Sequence, residues 1–136
     1  MARTLRFGLF GYPVKHSLSP VMHGASFRSL GLDAEYLCFE VPPEALAERL
    51  DACRREGFDG LNLTVPHKEA ALALMDRLDA SARLFGAVNT VRFDGDGLTG
   101  FNTDAAGFLE DLAVNCRLTP ERRRVLVLGC GGAGRA

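Results

Sequence analysis

An amide, a hydroxyl and an amine lie close together in residues 61–68, the run Leu-Asn-Leu-Thr-Val-Pro-His-Lys. Apolar residues alternate with Asn62 and Thr64, which predicts a strand with both polar side chains on one face. Pro66 ends that strand because it has no N–H to donate. Lys68 follows at the predicted start of a helix, where the positive end of the helix dipole disfavours an ammonium ion. These groups can bind a polar ligand and move a proton at the carboxyl end of a strand, where open α/β sheets bind ligands.

Two serine hydroxyls follow the first predicted strand, which covers residues 5–10. Ser19 directly precedes Pro20, a pair typical of a helix start with serine as the N-cap. Capping is therefore one role for Ser19, and ligand binding stays open beside it. Ser17 lies two residues before the predicted cap, so we expect its hydroxyl to be free for a ligand.

Asn89 and Asp104 flank a predicted hairpin. Its arms, residues 86–93 and 98–101, are joined by an Asp/Gly cluster, the composition that hairpin turns favour. Asn89 belongs to the first arm, and Asp104 comes just after the second arm at the start of another predicted helix. A plain N-cap is the structural alternative to a chemical role for Asp104.

Strands and helices alternate along the chain in its hydrophobic pattern. Further strands are predicted at residues 36–41 and 61–65, and helices at residues 19–30, 44–56 and 68–78. Their expected buried faces are Val21, Met22, Ala25 and Leu30 in the first helix, Leu46, Leu50 and Cys53 in the second, and Ala71, Leu74, Met75 and Leu78 in the third. This alternation predicts an α/β fold, with an open, mainly parallel twisted sheet and helices on both of its faces.

The composition is that of a globular domain, with 136 residues, 47% of them hydrophobic and 24% charged, and a net charge of -1. This charge gives no reason to expect nucleic acid as a partner, and no apolar run reaches the ~18 residues that a membrane span needs. The N-terminus lacks the apolar core of a signal peptide, so the cytoplasm is the expected location. The cysteines and histidines match no metal-site spacing, so we expect no metal and interpret the cysteines as small buried hydrophobes.

The end of the sequence predicts a change of domain. Residues 114–123 are polar and typical of a linker, and residues 124–128 have the pattern of a short buried strand. The run at 129–134 fits G-x-G-x-x-G directly after that strand, the context that a dinucleotide-binding loop needs. Arg135 and Ala136 replace the Lys and Ser/Thr of a Walker A loop, which disfavours a nucleoside triphosphate.

The sequence ends before the helix that would hold a pyrophosphate and before the residue that would select NAD or NADP. We therefore expect a piece of a longer enzyme, inactive by itself because its nicotinamide site is incomplete. Its expected parts are a ligand-binding catalytic domain at 1–113, a linker at 114–123 and the truncated start of a Rossmann-type NAD(P)-binding domain at 124–136.

Five blocks of the sequence together resemble the shikimate dehydrogenase family, in that family's order and through nearly the whole chain. The blocks are Gly-Tyr-Pro-Val-Lys-His-Ser-Leu-Ser-Pro at 11–20, Asn-Leu-Thr-Val-Pro-His-Lys at 62–68, Gly-Ala-Val-Asn-Thr at 86–90, Gly-Phe-Asn-Thr-Asp at 100–104 and Gly-Cys-Gly-Gly-Ala-Gly at 129–134. The resemblance implies a reversible reduction of 3-dehydroshikimate to shikimate, a step of aromatic amino-acid biosynthesis. It implies NADP, as NADPH, for the cofactor, with NAD left open, and shikimate or 3-dehydroshikimate as the small-molecule partner.

The same resemblance implies roles for individual residues. Lys68 and Asp104 would be the catalytic pair. Substrate-binding roles are implied for Ser17 and Ser19 at the carboxylate, and for Asn62, Thr64, Lys68, Asn89 and Asp104 at the ring hydroxyls. Cofactor-binding roles at the phosphates are implied for Gly129, Gly131, Gly132, Ala133 and Gly134.

The proposed chemistry has structural and functional alternatives. Reduction of a ketone needs an acid, and an ammonium group such as that of Lys68 can stabilise the developing oxyanion and donate the proton. The structural alternative is an ordinary surface salt bridge between Lys68 and Asp104 plus a helix cap. The functional alternatives are an enzyme that also oxidises quinate, sometimes with NAD, and a non-catalytic small-molecule binding module. The sequence leaves open whether the protein forms a homodimer.

Overall fold

The computed structural model of the chain describes residues 3–95, 97–129 and 131–136, and strands and helices alternate within these residues. The strands are β1 (Leu5–Gly11), β2 (Ala34–Glu40), β3 (Gly60–Leu63), β4 (Arg77–Leu78), β5 (Thr90–Asp94) and β6 (Gly97–Phe101). The helices are α1 (Ser19–Ser29), α2 (Leu46–Arg55), α3 (His67–Ala70), α4 (Ala80–Phe85) and α5 (Asp104–Val114), with 3₁₀ turns at Pro43–Ala45 and Ala71–Leu74.

The strands form one sheet in the order β2-β1-β3-β5-β6-β4. β1 is parallel to both β2 and β3, and β4 is parallel to β6. The hairpin of β5 and β6 is antiparallel and joins the sheet beside β3. The predicted α/β fold with a mostly parallel sheet is confirmed, and so is the predicted hairpin. Because β1 and β3 are parallel neighbours, their carboxyl ends lie side by side.

Alternate residues of β1 pack on opposite faces of the sheet. Phe10 belongs to the larger hydrophobic core and Leu9 to a smaller one. Helix α2 covers the larger core with the residues predicted to face inward, so this prediction is confirmed. These residues are Leu46, Leu50 and Cys53, none more than 2% exposed. Burying each leucine contributes about 1.5–3 kcal/mol, and burial raises the pKa of the Cys53 thiol to about 11.

Helix α1 covers the smaller core with different residues from those predicted. The His23 ring stacks on Tyr36 with centroids 4.3 Å apart, and the Phe27 ring lies 5.5 Å from that of Phe7. The residues predicted to be buried, Val21, Met22, Ala25 and Leu30, are all exposed. That prediction is wrong because the rings of His23 and Phe27, four residues apart on one face of the helix, pack against the sheet. The aliphatic side chains therefore face outward.

The helix predicted at residues 68–78 is shorter than expected. Helix α3 continues as a 3₁₀ turn to Leu74, and the chain then forms β4, a strand that the sequence did not predict. The Asp76 carboxylate accepts the N–H of Leu98 at 2.7 Å. Pairing with β6 thus outweighs the local helix propensity. The predicted inner face is kept, since Ala71, Leu74, Met75 and Leu78 all pack in the larger core.

Residues 124–128 do not form the predicted strand. Their apolar side chains at 125–128 are between 58% and 89% exposed. A strand needs a neighbour whose backbone pairs with its own. Among the described residues no strand lies beside this segment, so it has no regular structure.

Candidate active site

The segment that follows β3 leads from the core to the site. Leu61 and Leu63 are each 2% exposed, which confirms the apolar face of the predicted strand. Val65 was predicted to share this face, but it is exposed because β3 ends at Leu63. Thr64 stays beside β1, since its N–H donates to the Phe10 carbonyl at 2.9 Å.

Lys68 and Asp104 form the ion pair at the centre of the site. The Lys68 Nζ lies 2.6 Å from Oδ2 of Asp104. Only 13% of the Lys68 side chain and 31% of the Asp104 side chain are exposed, so water screens this pair less than it screens a surface salt bridge. An ammonium group has three N–H donors, and the two that do not meet Asp104 can bind a ligand.

Asn89 holds the second carboxylate oxygen of Asp104. Its Nδ2 donates to Oδ1 of Asp104 at 2.6 Å and to the Thr103 hydroxyl at 2.9 Å. Its own Oδ1 accepts the Thr103 N–H at 2.9 Å. Asp104 is the first residue of α5 and not its N-cap, so the plain capping role is wrong. The carboxylate is instead held between Lys68 and Asn89.

Asn62 is oriented by its neighbours on both sides in the sheet. Its Oδ1 accepts the Tyr36 hydroxyl at 2.7 Å, and its Nδ2 donates to the Thr90 hydroxyl at 3.1 Å and to the Asn89 carbonyl at 3.3 Å. Both amide hydrogens are therefore engaged, and one lone pair of Oδ1 remains for a ligand. Burial raises the pKa of Tyr36 above its ordinary value, so its hydroxyl acts as a neutral donor.

Ser17 and Ser19 bond to each other at the start of α1. The Ser17 hydroxyl donates to Oγ of Ser19 at 3.0 Å and accepts the N–H of Ser19 at 3.2 Å. The prediction that Ser19 is the N-cap is wrong, because α1 begins with Ser19 itself. The prediction that Ser17 has no such task is also wrong, because Ser17 supplies the oxygen that receives the first helical N–H.

The two serines line a cavity of about 350 Å³. Thr64 lies on its wall, and so does Lys15. The Lys15 Nζ forms an ion pair with Glu40 at 3.1 Å, so the hydroxyl groups are the donors of this cavity that suit an anionic group such as a carboxylate. Thr64 also contacts the start of α3, since its carbonyl accepts the N–H of His67, the residue before Lys68, at 2.9 Å.

The glycine-rich loop packs beside Lys68. A Cβ on Gly132 would lie 2.9 Å from Cβ of Lys68, so only glycine allows this approach. Gly129 has φ of +103°, which also favours glycine, and nothing lies within 4 Å of a Cβ built on Gly131. A cavity of about 240 Å³ lies between the loop and α3. Glycines at these positions leave room for a phosphate group close to the backbone of the loop. Cys130 is outside the described residues.

Two further findings concern the residues that the structure describes. They contain no group of three His, Cys, Asp or Glu side chains arranged to hold a metal ion. None of their helices has the length and the apolar run that crossing a bilayer requires. The burial predicted for the cysteines holds for Cys53 but is wrong for Cys116, which is exposed on the loop after α5.

Comparison with protein-family models matches residues 9–91 to the model described as "Shikimate dehydrogenase substrate binding domain". This match covers more than half of the chain. The chain belongs to the shikimate dehydrogenase family. The predicted family is confirmed, and the blocks at 11–20, 62–68 and 86–90 lie within the matched residues.

Curated shikimate dehydrogenases match nearly the whole chain. The chain is 49% identical to the shikimate dehydrogenase (NADP(+)) of Geobacter metallireducens over 98% of its own length and 47% of that protein. It is 52% identical to that of Rubrobacter xylanophilus over 95% of its length and 45% of that protein. The chain thus spans about half the length of these curated relatives.

A solved shikimate dehydrogenase has the same fold. The crystal structure of shikimate 5-dehydrogenase from Thermus thermophilus in complex with NADP(H) and shikimate matches with a TM-score of 0.89 and 52% identity. The match covers 96% of this chain and 49% of that one.

Three polar residues that bond to members of the site had no role predicted from the sequence. Tyr36 was counted only as part of a strand, yet its hydroxyl orients Asn62. Thr103 and Asn102 stand beside Asp104, and each bonds to a site residue or to its backbone. A tyrosine on a buried strand needs a partner for its hydroxyl, and this rule is the signal that could have identified Tyr36.

Proposed function

We propose that the natural protein in which these residues occur catalyses the reversible reduction of 3-dehydroshikimate to shikimate with NADPH. The observation that carries the proposal is the 2.6 Å contact of Lys68 with Asp104, in a family whose curated relatives are NADP-dependent shikimate dehydrogenases. The Thermus thermophilus relative, solved with NADP(H) and shikimate, supports the same substrate and cofactor.

The reaction needs a hydride donor and a proton donor at one carbonyl group. NADPH supplies the hydride when it is bound. The Lys68 ammonium stabilises the negative charge that develops on the carbonyl oxygen and transfers a proton to it. In the reverse direction the neutral Lys68 amine takes the proton from the substrate hydroxyl. Asp104, held by Asn89, keeps the amine in place during both steps.

The remaining polar residues bind the substrate in this proposal. Ser19 donates a hydrogen bond to its carboxylate in the cavity at the start of α1, and the Ser17 hydroxyl turns from Oγ of Ser19 to donate a second one. The free lone pair of Asn62 Oδ1 accepts a ring hydroxyl, and Thr64 and Asn89 contact the other hydroxyls. A ligand with one carboxylate and several hydroxyls matches this set of groups.

The same proposal divides the chain into parts. Residues 1–113 form the shikimate-binding catalytic domain, which is supported by the family match and by the single sheet within these residues. Residues 114–123 form a linker, and residues 124–136 begin the NADP-binding domain. The loop residues Gly129, Gly131, Gly132, Ala133 and Gly134 then approach the cofactor phosphates, close to Lys68.

The test is a steady-state assay of the natural protein with shikimate and with quinate, each with NADP⁺ and with NAD⁺. We expect shikimate with NADP⁺ to give the highest kcat/KM. A higher kcat/KM with quinate would assign the protein to the quinate-oxidising class, and a higher kcat/KM with NAD⁺ would overturn the proposed cofactor. If calorimetry shows tight shikimate binding but the assay shows no turnover, the protein is a binding module and not an enzyme.

A further inference from the structure

Asn102 has a buried side-chain amide that bonds to two separate segments of the chain, the one before β5 and the start of α5. It lies between β6 and α5 and is 3% exposed. Its Nδ2 donates to the Ala87 carbonyl at 3.1 Å, and its Oδ1 accepts the N–H of Asp104 at 3.1 Å. Its own N–H donates to the Ser81 hydroxyl at 3.0 Å. Neither the mechanism nor the substrate-binding set uses this residue.

The segment that Asn102 contacts is the one that holds the backbone of Lys68. Val88, next to Ala87, donates its N–H to the Lys68 carbonyl at 2.7 Å. Ala87 and Val88 are both 0% exposed, so this segment has little room to move. The amide of Asn102 thus lies between the segment before β5, which holds the Lys68 carbonyl, and the helix N-terminus that carries Asp104.

We propose that Asn102 is a positioning residue that sets the separation of Lys68 and Asp104. Its side-chain amide links the two segments, because it donates to the Ala87 carbonyl and accepts the N–H of Asp104. The inference rests on the proposed function for its effect on catalysis, but its geometric part stands on these contacts alone.

The chemistry of the position requires an amide. Alanine offers neither a donor for Ala87 nor an acceptor for the Asp104 N–H. An ionised carboxylate keeps the acceptor but places negative charge against the Ala87 carbonyl, whereas a protonated carboxyl group can make both bonds. Asn102→Ala therefore removes both side-chain hydrogen bonds, and Asn102→Asp keeps one or both of them according to its protonation state.

The test compares these variants with the matched control Asn115→Ala in the natural protein. Asn115 lies at the other end of α5, where it is exposed and its side chain donates to Asp111 at 2.6 Å, its one side-chain bond within the described residues. For Asn102→Ala we expect kcat to fall about 10- to 100-fold, because a small misplacement of catalytic groups is costly. KM for shikimate should change less than kcat, because the substrate-binding side chains remain. The control should keep the original kcat.

The carboxyl variant adds a readout that depends on pH. Because burial favours the neutral carboxyl form, the kcat of Asn102→Asp relative to the original protein should recover as pH falls. Asn102→Asp also decides the question if Asn102→Ala does not fold. An unchanged kcat in Asn102→Asp across the pH range, or in a folded Asn102→Ala, would overturn the proposal.

A crystal structure of the folded variant separates this proposal from the proposed function. We expect the Lys68 to Asp104 distance to lengthen from 2.6 Å. If the unmodified protein has no turnover, the proposed function fails, and this distance still tests the positioning role. A distance that stays at its original value in Asn102→Ala would end the positioning role even if the enzyme is active.

Discussion

Lys68 and Asp104 are 36 positions apart in the sequence, yet their charged groups approach to 2.6 Å. Each stands in the first turn of a helix, Lys68 in α3 and Asp104 in α5. The two helices follow β3 and β6, so the pair forms only when these strands join one sheet. Surface salt bridges contribute about 0–1 kcal/mol. The side chains of this pair are only 13% and 31% exposed, so water screens their attraction less.

Replacing the Lys68 amine should abolish proton transfer. We expect Lys68→Met in the natural protein to lower kcat about 10²- to 10⁴-fold, the usual contribution of a positioned acid. KM for shikimate should change much less, since methionine fills a similar volume. Steady-state kinetics measure both values, and Arg54→Met, an exposed cation on α2, is the control. Near-normal turnover in Lys68→Met would remove lysine from the mechanism.

Gly11 lies against Thr64, which lines the same cavity as Ser17 and Ser19. A Cβ at Gly11 would lie 2.5 Å from Cγ2 of Thr64 and 3.0 Å from Cβ of Val14. Gly11→Ala should therefore displace Thr64 and raise KM for shikimate by about tenfold, the equivalent of one lost hydrogen bond. The fold-decrease in kcat should be smaller than the fold-increase in KM for shikimate.

The matched control for this variant is Gly24→Ala, whose new Cβ would meet nothing closer than Arg28 Nη1 at 3.5 Å. Titration of shikimate by calorimetry measures the affinity directly. Equal affinity in Gly11→Ala and Gly24→Ala would show that Thr64 does not contact the substrate.

The sequence indicated candidate site residues but not the contacts between them. The alternation of apolar and polar residues around Asn62 and Thr64 is local. The strand and the polar side chains on it could therefore be predicted directly from the sequence. The role of Tyr36 could not, because its partner Asn62 is 26 positions away and the two meet only across the sheet. The same holds for Asn102, whose partner Ala87 lies on another segment of the chain.

The wrong predictions also have long-range causes. Helix α1 contains apolar residues on more than one side, and the stacking of His23 on Tyr36 selects the side that faces the sheet. Strand β4 consists of Arg77–Leu78 and exists only through pairing with β6. Residues 124–128 have strand composition, but no strand pairs with them within the described residues.

Helix α1 can be stabilised at Gly24. This glycine lies in the helix interior, where alanine is favoured by about 0.5–1 kcal/mol. Because the new Cβ would meet nothing outside the backbone of its own helix closer than Arg28 Nη1 at 3.5 Å, we expect Gly24→Ala to raise the free energy of unfolding of the chain by about that amount. Urea denaturation measures the change.

Gly100→Ala is the contrasting variant for this measurement. Its Cβ would lie 2.8 Å from both Met75 Cγ and Val88 Cγ2 in the larger core, so it should destabilise the chain. A destabilised Gly24→Ala would contradict the assignment of Gly24 to the interior of an unstrained helix.

The buried His67 should make the fold sensitive to acid. His67 is 0% exposed, its Nε2 donates to the Val41 carbonyl at 2.8 Å, and its Nδ1 has no partner among the described residues. Burial lowers the pKa of His67 in the folded chain below its ordinary value of 6.5, and outweighs the opposite effect of the Val41 carbonyl. Protonation would place a second N–H in the core without an acceptor.

The sign of the pH effect follows from the lowered pKa. Above the ordinary pKa both states are neutral at this residue, and its contribution to stability is constant. As pH falls below about 6.5, the unfolded chain binds the proton first, so stability declines by at most about 1.4 kcal/mol per pH unit. We expect His67→Gln, whose amide can still donate to Val41, to lose this part of the pH dependence. Urea denaturation at about pH 7.5 and about pH 5.5 compares both chains, and equal losses on acidification would contradict the role of His67.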